Sequence, residues 1–382
     1  MYEATFELET LTPLFMRGAD QSKVEFRSAS VKGAMRWWFR ALAGNYFGND
    51  ITKLREAECR VFGCAGSGRT RRSAVVVEIN FPNDIVLEKY PLPLVLWVKR
   101  EAIPPSTSFR VILKSPKLES LKIASYSLIA LSYFGGLGFR SNRGAGSIRI
   151  NSITTRRVNS ITTENFDIEK EIPLPETEKE YKKLPDTLKE KTEANLKQLL
   201  GEQFFRGIHS NAWGCPSYST MKNGCFWVYL WKSKEKPGDI YYRERVDLEC
   251  PNGNTDSLEI SNIALFDAFG SLFKNNNCHH PHASGPDNKK YKNWIFGTSN
   301  IRAAAKNRKR RASPMKIGIV KLDGKYYLRI SVFKTEPFHP DIEKVYWNNL
   351  FCFLEKIGAS QKYGTPIRNA CPKKNRGGFD GS

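Results

Sequence analysis

The sequence has few of the residues that catalytic and metal-binding sites most often use. Its 382 residues include five histidines and eight cysteines, and a secreted disulfide scaffold would be shorter and denser in cysteine. No apolar run approaches the roughly 20 residues that a membrane-spanning helix requires. The first residues lack the basic segment and apolar core of a signal peptide. We therefore expect a cytoplasmic protein with reduced thiols and no membrane partner.

Acidic side chains are also scarce relative to basic ones. Lys and Arg together number 60 and Asp and Glu 39, which gives a formal net charge of +21 and a pI near 9.6. A soluble protein with this excess favours an anionic partner, and nucleic acid is the commonest one. The hydrophobic fraction of 40% and the charged fraction of 26% are typical of a globular chain with an ample core.

The hydrophobic pattern predicts a first domain over residues 1–155. Alternation and apolar periodicity predict, in chain order, a strand from Tyr2, a helix from Ser28 or Ser30 to Phe47, strands from Ala74 and Ser108, a helix over Leu118–Phe134 and a strand from Gly146. The resulting order, β-α-β-β-α-β, is that of the ferredoxin-like fold, which RNA-recognition domains also use.

Residues 156–200 differ in composition, being polar, mixed in charge and interrupted by prolines. We interpret them as a linker that ends in a helix from Asp186, and we favour a simple connector over a partner-binding arm.

A second domain is predicted over residues 201–382. The pattern indicates a strand from Cys225, a helix over 261–273, a hairpin around Asp323 and Gly324, and a helix over 342–357. Residues 61–79 and 295–320 share one order, in which Phe-Gly is followed by a basic loop, a Ser and a strand. This repeated order of features indicates a duplicated structural unit. The predicted fold class is therefore α+β, with two ferredoxin-like domains in tandem.

The first predicted helix carries a row of cations. Lys32, Arg36 and Arg40 lie four residues apart, so they share one face at about 6 Å per turn, close to the spacing of phosphates along a strand. With Arg27 they would form the lip of an RNA-binding groove, and Trp37 would stack on a base. In the alternative, the cations solvate the helix and Trp37 covers an apolar edge.

A glycine-rich segment lies between the second predicted helix and the strand that follows. The residues expected to contact RNA there are Gly135, Gly136, Gly138, Arg140, Arg143, Gly144 and Gly146. Glycine lets backbone N–H groups approach a phosphate, and arginine supplies forked donors for its oxygens. The Gly-Lys-Ser/Thr ending of a P-loop is missing, and a dinucleotide-binding loop would follow a strand instead of a helix.

Two further basic runs, 66–72 and 302–314, are expected to contact phosphate without reading bases. The second run contributes Arg308, Arg310 and Arg311. The basic segment after residue 360 is interpreted as a flexible tail.

No catalytic residue, metal site or cofactor is predicted. The acidic residues are scattered, whereas two-metal phosphodiester chemistry needs several that converge, and Glu25 is expected to pair with a nearby Arg. The Cys and His residues of 278–282 lack the paired spacing of a zinc site. His209 is the histidine best placed for acid–base chemistry, although a structural role is favoured.

Several of these segments resemble a known family. LTPLFMRGAD (11–20), EFRSASVKGAMRWWFRAL (25–42) and GGLGFRSNRGAGSIRI (135–150) are similar to the RAMP superfamily of CRISPR proteins. More closely, they resemble the family of first-numbered subunits of the Cmr (type III-B) effector complex. This resemblance implies two ferredoxin-like domains and a position near the 3′ portion of the guide RNA. It also implies a role in capturing complementary target RNA, with cleavage performed by a different subunit.

The sequence thus predicts a non-catalytic RNA-binding subunit that serves antiviral defence. Its expected partners are guide RNA, complementary target RNA and the other Cmr subunits. Two alternatives stay open: a RAMP endoribonuclease that processes CRISPR RNA, and a purely architectural subunit whose basic surfaces meet acidic protein neighbours.

Overall fold

The computed structural model describes residues 1–20, 22–66, 70–92, 95–158, 166–208, 214–232, 244–249, 255–260, 314–336, 347–356 and 359–367. No helix within these ranges combines the length and the apolar character that crossing a bilayer requires.

The first half of the chain is built on a four-stranded antiparallel sheet. Its elements are β1 (Tyr2–Thr10), α1 (Ser28–Phe47), α2 (Ile51–Phe62), β2 (Val76–Asn80), β3 (Glu88–Leu92), β4 (Val95–Ala102), β5 (Ser108–Ser115), α3 (Leu118–Phe134) and β6 (Ile148–Arg157). The strand order in the sheet is β2-β5-β1-β6, while β3 and β4 form a separate hairpin. The strands and helices predicted for this half are present, whereas α2 and the β3–β4 hairpin were not predicted.

Burial follows the periodicity of the sequence. Ala4, Phe6 and Leu8, two residues apart on β1, are at most 1% exposed, because alternate side chains of a strand share one face. On α1, Met35 and Trp38 are buried together with Val31 and Leu42, one turn away on the same face, as helical periodicity requires. Helix α3 packs against α1 and the sheet, which positions the glycine-rich segment that follows it.

The helix in the predicted linker is part of the core. It is α5 (Glu178–Leu200), preceded by the single turn α4 (Ile168–Glu171). The predicted start at Asp186 is wrong, because Thr177 and Glu180 form a capping box that begins the helix before Pro185. Tyr181 is 1% exposed and donates a hydrogen bond to the Tyr133 carbonyl, 3.0 Å away. This helix is therefore an element of the hydrophobic core and is not a simple connector between two domains.

The second half contains another four-stranded antiparallel sheet. Its described elements are β7 (Phe226–Lys232), β10 (Met315–Leu322), β11 (Lys325–Phe333), α6 (Trp347–Lys356) and β12 (Ser360–Tyr363), with a separate pair β8 (Glu244–Glu249) and β9 (Thr255–Ile260). The order β10-β11-β7-β12 repeats that of the first sheet, with β7 in the place of β1. The predicted hairpin at Asp323 and Gly324 is confirmed, and both residues have positive φ. The predicted helix over 261–273 and the motif at 295–297 lie outside the described residues.

The cysteines correct one expectation. Cys59 is bonded to Cys64, and Cys215 to Cys225, whereas reduced thiols were expected. The first bond joins the end of α2 to the base of the basic loop, where Cys64 and Arg71 also pair through their backbones. The sequence pattern gave no pairing signal, because cysteine pairs of this kind are set by the turn that brings them together.

Candidate nucleic-acid interface

The glycine-rich segment of residues 135–146, which we call the glycine loop, folds back on the segment that follows β1. The Phe139 N–H donates to the Phe15 carbonyl at 2.7 Å, and the Gly146 N–H donates to the Pro13 carbonyl at 2.9 Å. Gly146 has a φ of +61°, and a side chain there would clash with the Leu137 carbonyl. This glycine is therefore required by close backbone packing inside the protein.

The backbone amides of the glycine loop are partly used by the protein itself. The N–H groups of Gly135 and Gly144 donate to the carbonyls of Leu131 and Ile317, at 3.0 and 3.1 Å. Together with Gly146, these two residues do not offer their amides to a phosphate, which corrects that part of the sequence interpretation. Gly138, at φ +79°, is exposed, and Gly136 faces a cavity described below.

An exposed aromatic ring at the tip of the glycine loop lies between two arginines. Phe139 is 45% exposed. The guanidinium carbon of Arg140 lies 5.3 Å from the ring centroid, and that of Arg100, on β4, lies 5.8 Å away. Burial, with a smaller contribution from Arg100, lowers the pKa of Arg140. The arrangement combines a ring that a base can stack on with two phosphate-binding groups.

Arg143 fixes the glycine loop to the second sheet. Its backbone forms a parallel bridge with Ile317 of β10, and its side chain is half-buried. Burial, followed by the effect of Arg140, lowers the pKa of Arg143 to about 9. Because the guanidinium is largely withdrawn from solvent, Arg143 acts first as a structural residue of this junction.

The cationic row of α1 has partners inside the protein. Lys32 donates to the Ser73 hydroxyl at 2.7 Å and to the Val75 carbonyl at 3.2 Å. Arg36 and Arg40 both bind Glu58 of α2, at 2.6 and 3.0 Å. Glu58 is only 4% exposed, whereas more than a third of each arginine side chain is accessible. The row therefore joins α1 to α2 and to the segment just before β2, and a buried carboxylate offsets part of its charge.

Arg27 lies just before α1 and pairs with Glu25 at 3.3 Å, which confirms the pairing expected for Glu25. Trp37 packs edge-on against Phe333 of the second sheet, with ring centroids 5.3 Å apart. The ammonium of Lys316, on β10, lies 3.9 Å from the centroid of the Trp37 ring. Trp37 is thus half-buried at the junction of the two sheets and does not stand free on a helix surface.

A cavity of about 330 Å³ lies where α1, the glycine loop and β10 meet. Its lining residues are Ala34, Trp37, Trp38, Leu131, Gly135, Gly136, Ser141, Asn142, Ser219, Pro314 and Lys316. Helix α1 and the glycine loop, both predicted to bind RNA, therefore meet at this cavity through Trp37. The three cations take no part in it, because their partners lie on α2 and just before β2.

Two cationic side chains of the second sheet form hydrogen bonds to the glycine loop. Lys316 donates to the Asn142 side-chain oxygen at 2.7 Å, and the fully buried Arg329 donates to the Gly135 carbonyl at 2.7 Å. Burial, together with Arg329, lowers the pKa of Lys316 to about 7. Burial lowers the pKa of Arg329 to about 10. The interior of this junction is therefore positively charged.

Some predicted positions lie outside the described residues. These are Arg308, Arg310, Arg311, His209, the segment 278–282 and the C-terminal segment beyond residue 367. The start of the predicted tail instead belongs to β12, which pairs with β7. Within the described ranges, no three His, Cys, Asp or Glu side chains are grouped so as to hold a metal ion.

Sequence reasoning missed four residues of this surface. Phe139 and Asn142 were within the recognised glycine loop, where an aromatic between glycine and arginine was the available signal. Arg100 and Lys316 come from β4 and β10, far away in sequence, and only the fold brings them to the loop.

Both halves of the chain match known families. Residues 7–149 match the RAMP superfamily, and residues 223–364 match the C-terminal domain of Cmr1. The CRISPR system Cmr subunit Cmr1-1 of Pyrococcus furiosus is 32% identical over 92% of this chain and 94% of its own length. The crystal structure of apo Cmr1 from Pyrococcus furiosus superimposes with a TM-score of 0.62 at 25% identity, covering 95% of this chain and 99% of that one.

A more distant structure shares the fold. It is a chain of the type III-B Cmr-beta complex bound to cognate target RNA and AMPPnP, with a TM-score of 0.52 at 14% identity. The alignment covers 94% of this chain and 99% of that chain.

Proposed function

This chain belongs to the Cmr1 family, the RAMP-superfamily subunit of type III-B CRISPR complexes, and from that premise we propose that it binds RNA within such a complex. In this proposal it lies near the 3′ end of the guide RNA and helps to capture complementary target RNA for antiviral defence. Its partners are both RNAs and the other Cmr subunits.

One observation supports RNA binding most directly. At the tip of the glycine loop, the exposed ring of Phe139 lies between the guanidinium groups of Arg100 and Arg140. Stacking of a base on an aromatic side chain contributes about 1–3 kcal/mol and depends little on sequence, because every base has a π face. Arginines beside the ring would bind the flanking phosphates. The net charge of +21 would draw RNA to the surface at long range.

The repeated strand order supports the fold part of the proposal. We take both halves as ferredoxin-like domains in tandem, over residues 1–155 and 201–382, because both sheets have the order of that fold. Residues 156–200 then supply α5, which packs against α1, α3 and β12. Such an arrangement holds the glycine loop of the first domain against β10 of the second.

The related complex supports the choice of partner. The Cmr-beta structure, whose matching chain shares this fold, is described as bound to cognate target RNA. An aromatic ring with flanking arginines suits single-stranded RNA whose bases are free to stack, as in a target strand before pairing.

We assign no chemical step to this subunit. An endoribonuclease of this superfamily would need a general acid or base, and His209 is the candidate from sequence. Incubation of the purified full chain with CRISPR repeat RNA, followed by electrophoresis, tests this. Intact RNA is the expected result, and a single cut that His209→Ala abolishes would replace the binding role with a catalytic one.

RNA binding is tested by fluorescence anisotropy of the full chain with a labelled 15-nucleotide single-stranded RNA. We expect the affinity to fall steeply as salt rises, with little preference among sequences. Phe139→Ala should weaken binding about tenfold, because one stacked base is lost. Lys182→Gln, which removes an exposed charge on α5, is the matched control and should change the affinity less than twofold.

The architectural alternative gives a different result. In that case the isolated chain would not bind RNA, while Arg100→Glu with Arg140→Glu would prevent its incorporation when the complex is reconstituted. RNA binding by the wild-type chain that Phe139→Ala leaves unchanged would also contradict the role given to the loop tip.

A further inference from the structure

The cavity between α1, the glycine loop and β10 has the size and lining of a small-molecule site. Its volume of about 330 Å³ is at the lower end of the roughly 300–1,000 Å³ of such pockets. The indoles of Trp37 and Trp38, with Ala34 and Leu131, form apolar walls. The cavity therefore suits one flat aromatic group and is small for a folded peptide segment.

Polar groups converge at one side of this cavity. Lys316 and Asn142 are joined by a 2.7 Å hydrogen bond in which the ammonium donates to the amide oxygen. An ammonium has three donors and a carboxamide has two, so this pair has donors beyond the bond that it shares. Ser141 and Ser219 add hydroxyls to the lining. These groups match the carbonyl oxygens and ring nitrogens at the edge of a nucleobase.

The surroundings favour a base over a phosphate. A phosphate site combines several charged or backbone N–H donors, whereas Lys316 is the one ionisable residue of this lining and the Gly135 N–H already donates to the Leu131 carbonyl. Aromatic walls instead bury the faces of a ring. Arg329 and Arg143 lie close behind the lining, where Arg329 contacts Gly135 and Arg143 contacts β10. Their positive charge would attract the RNA backbone toward this junction.

The position of the cavity relates it to the loop tip. Gly135, Gly136, Ser141 and Asn142 of the glycine loop line it, while Phe139 lies on the exposed segment between them. A strand stacked on Phe139 would therefore have a neighbouring nucleotide within reach of the opposite side of the same loop.

We infer that this cavity binds one unstacked nucleobase of the bound RNA, which packs beside the indoles of Trp37 and Trp38 and turns its polar edge toward the Lys316–Asn142 pair. The inference rests on the proposed function and gives the second sheet a direct part in RNA recognition. It explains why an exposed glycine loop is fixed by Arg143 and Arg329: a base pocket needs rigid walls.

The test uses the full chain, a 15-nucleotide oligouridylate and an abasic ribose-phosphate oligomer of equal length. Lys316→Met and Asn142→Ala should each weaken binding of oligouridylate about tenfold, because each removes a hydrogen-bonding partner of the base edge. Lys321→Met, on the same strand, is the matched control and should match the wild type. The abasic oligomer should bind the wild type and Lys316→Met equally. Equal losses with both oligomers would show that Lys316 holds phosphate and would overturn the inference.

Photocrosslinking locates the base independently of affinity. An oligouridylate with 4-thiouridine should crosslink to the peptide that contains Trp37 or to the peptide that contains Lys316, and mass spectrometry identifies them. Crosslinks confined to other peptides would overturn the inference. Saturable binding of uridine monophosphate by a chain that does not bind oligouridylate would assign the cavity to a free nucleotide and would also overturn the inference.

The two proposals fail in different ways. A wild-type chain that does not bind oligouridylate contradicts the proposed function itself. A wild-type chain that binds it, with Lys316→Met and Asn142→Ala binding equally well, contradicts the base pocket alone. Circular dichroism and the unfolding midpoint establish whether each variant is folded. If Lys316→Met is not folded, Asn142→Ala, which changes a loop residue, still tests the base pocket.

Discussion

The ammonium of Lys316 lies 3.9 Å from the centroid of the Trp37 ring and donates to the Asn142 side chain. One side chain of the second sheet thus contacts the first helix and the glycine loop at once. The contact with Trp37 is a cation–π interaction, which partly compensates the removal of the charge from water. Two halves that each resemble a separate domain are in this way joined at the site where RNA binding is proposed.

The stability of the protein should depend on pH through Lys316. An unfolded lysine keeps its proton up to about pH 10.4, whereas the native pKa of Lys316 is lowered to about 7 by burial and by Arg329. Between these values the unfolded state binds more protons, so stability rises with pH. The free energy of unfolding of the wild type, minus that of Lys316→Met, should increase by about 2 kcal/mol from pH 7 to pH 9.

Urea unfolding at several pH values measures this difference. Lys321→Met is the control, because it makes the same change on the same strand. Lys321 lies near the turn of the hairpin, 5.3 Å from the Tyr326 ring and away from the junction, so this variant should parallel the wild type at each pH. A constant difference between the wild type and Lys316→Met across this interval would show that Lys316 keeps an ordinary pKa.

Glu58 should stabilise the protein through two arginines. Its buried carboxylate binds both Arg36 and Arg40. Breaking a buried pair costs about 3–5 kcal/mol, and the partial exposure of both arginines reduces the cost, so Glu58→Gln should lower the free energy of unfolding by about 2 kcal/mol. Glu56→Gln, which weakens the exposed pair with Arg60 on the same helix, should cost less than about 0.5 kcal/mol. Equal losses in the two variants would contradict the role of Glu58.

Much of the fold was readable from local patterns. Strand β1 and helices α1 and α3 were predicted near their observed bounds, because alternation and helical periodicity depend on residues close in sequence. The start of α5 was missed because Pro185 was given the weight of a helix boundary. The capping box at Thr177 and Glu180 was present in the sequence and was the better signal.

The candidate site was less predictable than the fold. A helical projection correctly placed Arg36 and Arg40 on one face, but it contains no information on what packs against that face. Glu58 lies on a helix that was not predicted, so its ion pairs with Arg36 and Arg40 could not be predicted from the sequence. Arg100 and Lys316 are brought to the glycine loop by strands distant in sequence, and that contact exists only in the folded chain.

The glycines of the loop should differ in their tolerance of a side chain from glycines elsewhere. Gly146→Ala should destabilise the protein by about 3 kcal/mol, because φ is +61° and the new Cβ would clash with the Leu137 carbonyl. Gly33, on α1, has open space around the position of a Cβ, and Gly33→Ala should stabilise by about 0.5–1 kcal/mol. Thermal unfolding of both variants tests the contrast, which would fail if Gly146→Ala left the midpoint unchanged.

The two pairs of arginines should contribute unequally to RNA binding. Arg36 and Arg40 share a buried carboxylate, whereas Arg100 and Arg140 flank an exposed ring. Each phosphate contact with single-stranded RNA contributes about 0.7 to the slope of log affinity against log salt. Arg100→Gln with Arg140→Gln should therefore reduce that slope by about 1 to 1.5.

Arg36→Gln with Arg40→Gln should reduce the same slope by less than about 0.5, since Glu58 already offsets part of their charge. This variant leaves Glu58 without its partners, so binding is measured at a temperature where circular dichroism shows both variants folded. The ratio of the two effects is informative because both variants remove the same formal charge. A larger effect from the α1 pair would mean that RNA displaces Glu58 from Arg36 and Arg40, and the principal RNA-binding surface would then be the cationic row of α1.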